Sequence, residues 1–170
     1  MINNLLKYGL LFIGLTILQI FVLNGINFLR YATPFIYIYF LIKLPVGISR
    51  NLLLFLGFVL GFVIDVFCNT PGINAGASVL AAFLRPYLIK SLATLDVAEN
   101  REPSLYLFGL QPFLRYIAVM ILIHHAALLL LESFSLFNWQ ILLLRIPACS
   151  LFTFVLIWAA EGLTGNQRKR

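Results

Sequence analysis

From Leu52 to Phe67 the chain reads LLLFLGFVLGFVIDVF, an apolar run interrupted by a single carboxylate, Asp65. The break Asn69-Thr70-Pro71-Gly72 follows. A second apolar run then extends from Ile73, rich in Gly and Ala, and closes on Arg85-Pro86-Tyr87. Two such runs joined by so short a break are too apolar for a helical hairpin in water. A helix crossing a bilayer core needs about 20 apolar residues, and in lipid only helices or closed barrels satisfy their own backbone. The pair therefore predicts a transmembrane hairpin whose two helices are neighbours. An acid inside one of them is costly and calls for a partner.

The remaining chain has the same character. Apolar runs predict spans at residues 5–23, 29–44, 51–67, 73–89, 112–131 and 139–160. This is an all-α integral membrane protein, a single domain over residues 1–170 built as a six-helix transmembrane bundle. Composition agrees: 62% of residues are hydrophobic and 11% charged, whereas soluble domains carry about 25% charged residues. The 29–44 run is short and has Pro34 near its start, where a missing backbone donor matters least. It either begins near Asn27 or enters the membrane irregularly. Lys7 precedes the first run as in a signal peptide, but no small-residue cleavage site follows Leu23, which predicts a retained helix. Gln19, inside that helix, is expected to face another helix rather than lipid. The SLYLFGL segment after Pro103 is expected to lie along the interface. No internal repeat is evident, which argues against a transporter built on inverted repeats.

The net charge of +6 does not point to nucleic acid, because no basic run is interleaved with aromatics. It fits topology instead. With the N-terminus in the cytoplasm, six spans leave Lys7, Lys43, Arg50, Lys90, Arg101 and the terminal Arg168-Lys169-Arg170 inside, with Arg85 and Arg115 at the edges. The outer loops hold Arg30 and Glu132. This bias predicts that both termini are cytoplasmic, with the basic C-terminus near anionic membrane lipid.

Gly57, Gly61 and Asp65 recur every four residues and share a helix face. Gly-x-x-x-Gly lets helices approach closely in lipid, so Asp65 is expected in a packed interface as a packing and registry element. Pro71 and Gly72 supply the tight turn. Arg85 is a poor partner for Asp65. Counted from the turn, the two differ in height by roughly 12–13 Å at ~1.5 Å per residue. Arg145, early in the last span, matches Asp65 in depth, and an Asp65–Arg145 ion pair is the expectation. Arg85 is expected to snorkel to headgroups, and Arg85 and Tyr87 to form a cytoplasmic-end contact. Glu132 and Glu161, at span ends, are expected to be solvated.

Catalytic and metal signatures are missing from the sequence. His124 and His125 are adjacent, so they point about 100° apart on a helix and chelate one metal poorly; hydrogen bonding between helices is the expectation. Cys68 and Cys149 have no metal-ligand spacing and read as buried thiols. No acyl-transfer motif is present. The chain is expected to be non-enzymatic, with no cofactor and no metal.

The pattern G-F-x-x-G-F-x-x-D, then a Pro-Gly turn and a Gly/Ala-rich helix ending in R-P-Y, resembles the rod shape-determining protein MreD family. It is carried by Gly57, Phe58, Gly61, Phe62, Asp65, Pro71, Gly72, Gly76 and Arg85-Pro86-Tyr87, and Pro34 also matches. The resemblance implies a non-enzymatic bacterial inner-membrane component of the elongation machinery, required for rod shape and regulating peptidoglycan synthesis through partner binding. It implies an MreC-like single-pass protein, an MreB-like cytoskeletal protein and peptidoglycan-synthesis enzymes as partners. It also implies a bundle similar to the S-components of energy-coupling-factor transporters. An alternative is a solute-binding membrane subunit of a vitamin-type transporter, with its pocket near Asp65 and Arg145. A third is a proton-coupled carrier using Asp65.

Overall fold

A computed structural model describes residues 2–25, 33–92, 101–133 and 139–165. All the regular structure among them is helical. Helix α1 (Ile2–Leu18) runs into a π-helical turn (Gln19–Leu23), and α2 (Ile38–Lys43) follows. The rest are α3 (Arg50–Cys68), α4 (Ile73–Leu92), α5 (Leu105–Phe108), α6 (Leu110–Ser133) and α7 (Trp139–Gly165).

Among the described residues, four helices are long and apolar enough to cross a membrane, over Leu6–Leu23, Arg50–Cys68, Leu110–Ser133 and Gln140–Gly162. They mark the chain as a membrane protein. The other two expected spans fall short of that measure for different reasons. Helix α4 has the length but carries Asn74, Ser78, Arg85 and Lys90. It packs between α3 and α6, so protein rather than lipid meets most of these polar groups. In the run at 29–44, the described residues 33–44 hold a helix of six residues.

That short helix is the most enclosed element of the fold. From Tyr37 to Leu44 no residue exceeds 7% exposure. The chain reaches it through an irregular path at residues 33–37, as the sequence allowed; residues 26–32, where an earlier start would lie, fall outside the described residues. Irregular backbone is tolerated at membrane depth only where protein satisfies it. Here the Gln19 side chain donates to the Pro34 carbonyl at 3.1 Å and accepts from the Ile36 N–H at 2.9 Å. Thr153 of α7 accepts from the Phe35 N–H at 3.1 Å. Gln19 thus faces protein, as expected, and holds backbone that no helix could.

The α3–α4 hairpin forms as its sequence predicts. Asn69 closes α3 in the left-handed region, at φ 55°, a conformation Asn tolerates at a helix end. Pro71 and Gly72 then occupy the centre of a turn closed by Ile73 N–H to the Thr70 carbonyl at 3.3 Å, with Gly72 at φ 82°. This is a type II turn, in which the third residue needs positive φ. The segment after Pro103 forms the short α5, capped by Ser104 accepting from the Leu107 N–H at 3.3 Å.

Candidate functional site

Gly57 and Gly61 face α4 directly. A Cβ on Gly57 would lie 3.1 Å from Ala82 Cβ and 3.2 Å from the Ser78 carbonyl oxygen. On Gly61 it would fall 2.6 Å from the Ala75 nitrogen, well inside contact distance. This close approach brings the last turn of α3 against the first turn of α4, and it sets the surroundings of Asp65.

Asp65 is 4% exposed and accepts four hydrogen bonds. Its Oδ1 takes the Thr70 hydroxyl, the Asn74 N–H and the Asn74 side-chain amide, each at 2.9 Å. Its Oδ2 takes the Ala75 N–H at 2.9 Å. The first N–H groups of a helix have no partner within it, and the partial positive charge there favours a carboxylate. Asp65 therefore caps α4 from the end of α3. The expected Asp65–Arg145 pair is corrected accordingly: Arg145 reaches Glu132 at 3.4 Å instead. The free backbone donors at the start of α4 satisfy the carboxylate without a cation.

Arg85 also departs from expectation. It does not snorkel; it is fully buried. Its guanidinium donates to the Leu44 carbonyl, to the Pro45 carbonyl at 3.3 Å and, through Nε, to the Tyr116 hydroxyl at 3.0 Å. The Tyr116 hydroxyl donates onward to the Ile42 carbonyl at 3.2 Å. The Ile42 and Leu44 carbonyls belong to the end of α2, where carbonyls lack partners within the helix and the helix dipole favours a cation; the Pro45 carbonyl lies just beyond it and also accepts from the Ile48 N–H at 3.4 Å. So Arg85 closes α2 at one end while Gln19 and Thr153 hold the other. Tyr87, two residues on, is half exposed. Arg50 stacks over Phe83 at 4.5 Å and over Tyr87 at 5.6 Å from the ring centres.

Between these clasps lies a polar chain. Asn74 accepts from the Tyr37 hydroxyl at 2.8 Å, and Tyr37 meets His124 Nε2 at 2.9 Å. Since Tyr37 spends its proton on Asn74, His124 must donate from Nε2. His125 donates from Nδ1 to the Ile121 carbonyl and accepts at Nε2 from Thr153, both at 2.9 Å. The adjacent histidines thus hold opposite tautomers and reach different partners, Tyr37 just before α2 and Thr153 of α7. Cys149 is buried and Cys68 partly so. No group of three or more metal-ligating side chains occurs among the described residues.

At the end opposite the hairpin turn lies a second charged group. Lys43 and Glu161 pair at 2.7 Å, with side chains 9% and 7% exposed. Lys43 also donates to the Pro103 carbonyl at 3.3 Å, and Tyr39 donates to Glu161 at 2.9 Å. Glu161 is therefore not solvated, because α7 runs past it to Gly165 and turns it toward α2. Glu132, by contrast, is largely exposed, as expected. Nearby, Glu102 accepts from Lys7 and, at 2.8 Å, from the Tyr8 hydroxyl. Burial alone would raise the Glu102 carboxyl, but the Lys7 and Tyr8 hydrogen bonds and the Lys7 and Lys43 charges outweigh it and hold it below its usual value.

Sequence reasoning missed Asn74, Tyr37, Tyr116, Lys43 and Thr153. Asn74 had a signal: a polar residue in the first turn of a helix that follows an acid by a short turn. The outer surface of α3 carries Phe55, Phe58, Phe62 and Val66, between 48% and 62% exposed, with Phe58 and Phe62 stacked at 5.7 Å. The chain matches no protein-family model, no curated protein and no solved structure.

Proposed function

We propose that this chain is a non-enzymatic membrane scaffold of the MreD kind, acting in the bacterial inner membrane to hold partners of the cell-elongation machinery. In this reading the chain passes the bilayer six times, with α2 and α4 as the two enclosed passes and both termini cytoplasmic. MreC-like and MreB-like proteins and peptidoglycan-synthesis enzymes are the partners. One observation carries the reading. The helical residues of the resemblance on α3, with Arg85 and Tyr87 of α4, fall on two faces. Gly57, Gly61, Asp65 and Arg85 face inward and build the hairpin and its clasps. Phe58, Phe62 and Tyr87 face outward, where they contribute little to the chain's own packing. Large aromatic side chains exposed on one helix face offer a partner helix contact area at low entropic cost.

The test is affinity purification of the tagged chain from membranes after crosslinking. Recovery of a single-pass partner and wall-synthesis enzymes is the expected result. Recovery should fall for Phe58→Ala/Phe62→Ala while the variant keeps its expression and melting temperature. Co-purification of an ATPase module with a bound vitamin, and no wall machinery, would overturn it in favour of a solute-binding subunit.

A further inference from the structure

At the hairpin-turn end the bundle holds a cavity of about 400 Å³, within the range of small-ligand sites, about 300–1,000 Å³. Its apolar wall includes Phe35, Ile64, Ile73 and Leu128. Its polar lining includes Asn24, Thr70, Asn74, Glu132 and Arg145. Most of those polar groups are engaged. Thr70 and Asn74 serve Asp65, and Asn24 accepts from Gln19 at 2.9 Å and donates to Cys68 at 2.6 Å. Asp65 itself is covered by its four donors and does not line the space.

Arg145 is the exception. Its Nε is buried without a hydrogen-bond partner, and its one described ion pair, to Glu132, is long at 3.4 Å between side chains 31% and 43% exposed. A guanidinium is a planar fork that binds carboxylate or phosphate through two parallel bonds. Here the guanidinium lines a chamber of mixed polar and apolar lining, and its described terminal-nitrogen contact is the long one to Glu132. We propose that this cavity binds an amphiphile with an anionic group, carboxylate or phosphate, seated on Arg145, its apolar body lying against Phe35, Ile64 and Leu128. Glu132 occupies Arg145 in the empty state and is displaced by the ligand. The site is independent of the scaffold reading. The same chemistry could be supplied by a soluble metabolite or by a membrane lipid.

Cys68 lines the cavity and is partly exposed, whereas Cys149 is fully buried. Cys68 alkylation by a neutral maleimide therefore reports occupancy in the purified full chain, with Cys68→Ala as the blank. In dodecylmaltoside, sodium octanoate should slow alkylation several-fold, and octanamide should not. In nanodiscs, phosphatidylglycerol in place of phosphatidylcholine tests the lipid source in the same way. Slowing by octanoate assigns a soluble anion, and slowing by phosphatidylglycerol assigns a lipid. Either effect should vanish in Arg145→Gln and strengthen in Glu132→Gln, which frees the guanidinium. The proposal is overturned if neither probe slows alkylation, or if slowing persists in Arg145→Gln. Should Arg145→Gln fail to fold, slowing that is unchanged or weaker in Glu132→Gln overturns it equally.

Discussion

Replacing Asp65 with alanine tests whether the acid is a helix cap or half of an ion pair. The substitution removes the acceptor of three buried N–H groups: the Asn74 N–H, one hydrogen of the Asn74 side-chain amide, which also donates to Thr70, and the Ala75 N–H. Hydrogen bonds inside membrane proteins average about 0.6 kcal/mol by double-mutant cycles, which gives about 2 kcal/mol for the three. The soluble-protein figure of at least about 1 kcal/mol for each orphaned buried donor gives about 3 kcal/mol. The expected loss is therefore about 2–3 kcal/mol. Asp65→Asn should cost less, about 1 kcal/mol, because its oxygen can keep the bonds made to Oδ1 while its amide nitrogen faces the Ala75 N–H. Equilibrium unfolding in mixed micelles with rising dodecyl sulfate, followed by far-UV circular dichroism, measures it. Val66→Ala, 62% exposed on the next residue, is the control. Arg145→Ala completes a cycle. Its pair with Glu132 is partly exposed, and such pairs contribute about 0–1 kcal/mol. Coupling between positions 65 and 145 should stay within about 0.5 kcal/mol, the usual limit for independent sites. A coupling well above that would restore the ion pair. An Asp65→Ala loss no larger than that of Val66→Ala would refute the capping argument outright.

The other predictions share the same unfolding assay. Arg85→Lys should destabilise strongly despite keeping the charge, since an ammonium cannot span the Leu44 and Pro45 carbonyls and the Tyr116 hydroxyl as a fork does; a loss of about 3 kcal/mol matches the breaking of a buried charged contact. Gly61→Ala should cost about 1–3 kcal/mol by overpacking and Gly57→Ala less, because the clash at Gly61 is with backbone at 2.6 Å and the tightest contact at Gly57 is 3.1 Å; Gly9→Ala, with open space around it, should be neutral, and equal effects at all three would sink the close-approach argument. Glu102 titrates below its usual value, so its stabilising contact with Lys7 and Tyr8 is fully present above the unfolded carboxyl pKa of about 4.3 and is lost as pH falls through the lower folded value. Wild type should thus lose stability on acidification below about pH 4 by more than Glu102→Gln does, and parallel pH profiles would exclude the contact.

The hairpin was legible in sequence because its signals are local. Glycine spacing fixed the contact face of α3, and Pro71-Gly72 fixed the turn. The partners of the charges were not legible, for one physical reason. Sequence reasoning pairs a charge with an opposite charge, yet Asp65 and Arg85 are satisfied by backbone groups at helix ends. Those ends appear only when helix boundaries are known. Had α2 been expected to stop at Lys43, the carbonyls of Leu44 and Pro45 would have stood out as acceptors for a cation on a neighbouring helix. The same uncertainty misplaced Glu161: a short α7 leaves it in water, a long one turns it onto Lys43. His124, His125 and Gln19 were anticipated correctly because an uncharged polar group needs only some partner, and a bundle interior supplies one.

The short length of α2 explains why so many polar side chains lie inside so apolar a chain. A helix of six residues leaves most of its backbone groups at one end or the other without internal partners. In water these would be solvated; here they are enclosed on all sides. Four neighbouring elements therefore contribute a polar side chain: Gln19 after α1, Arg85 from α4, Tyr116 from α6 and Thr153 from α7. These side chains do not imply transport or catalysis, because the chain's own backbone already consumes their donors and acceptors. Arg145 differs in this respect. It lies at the edge of the bundle, serves no helix end, and keeps a buried donor unmatched. A polar group that the fold does not use is the better candidate for a group that a ligand uses, and that places the binding question at Arg145 rather than at the more deeply buried Asp65.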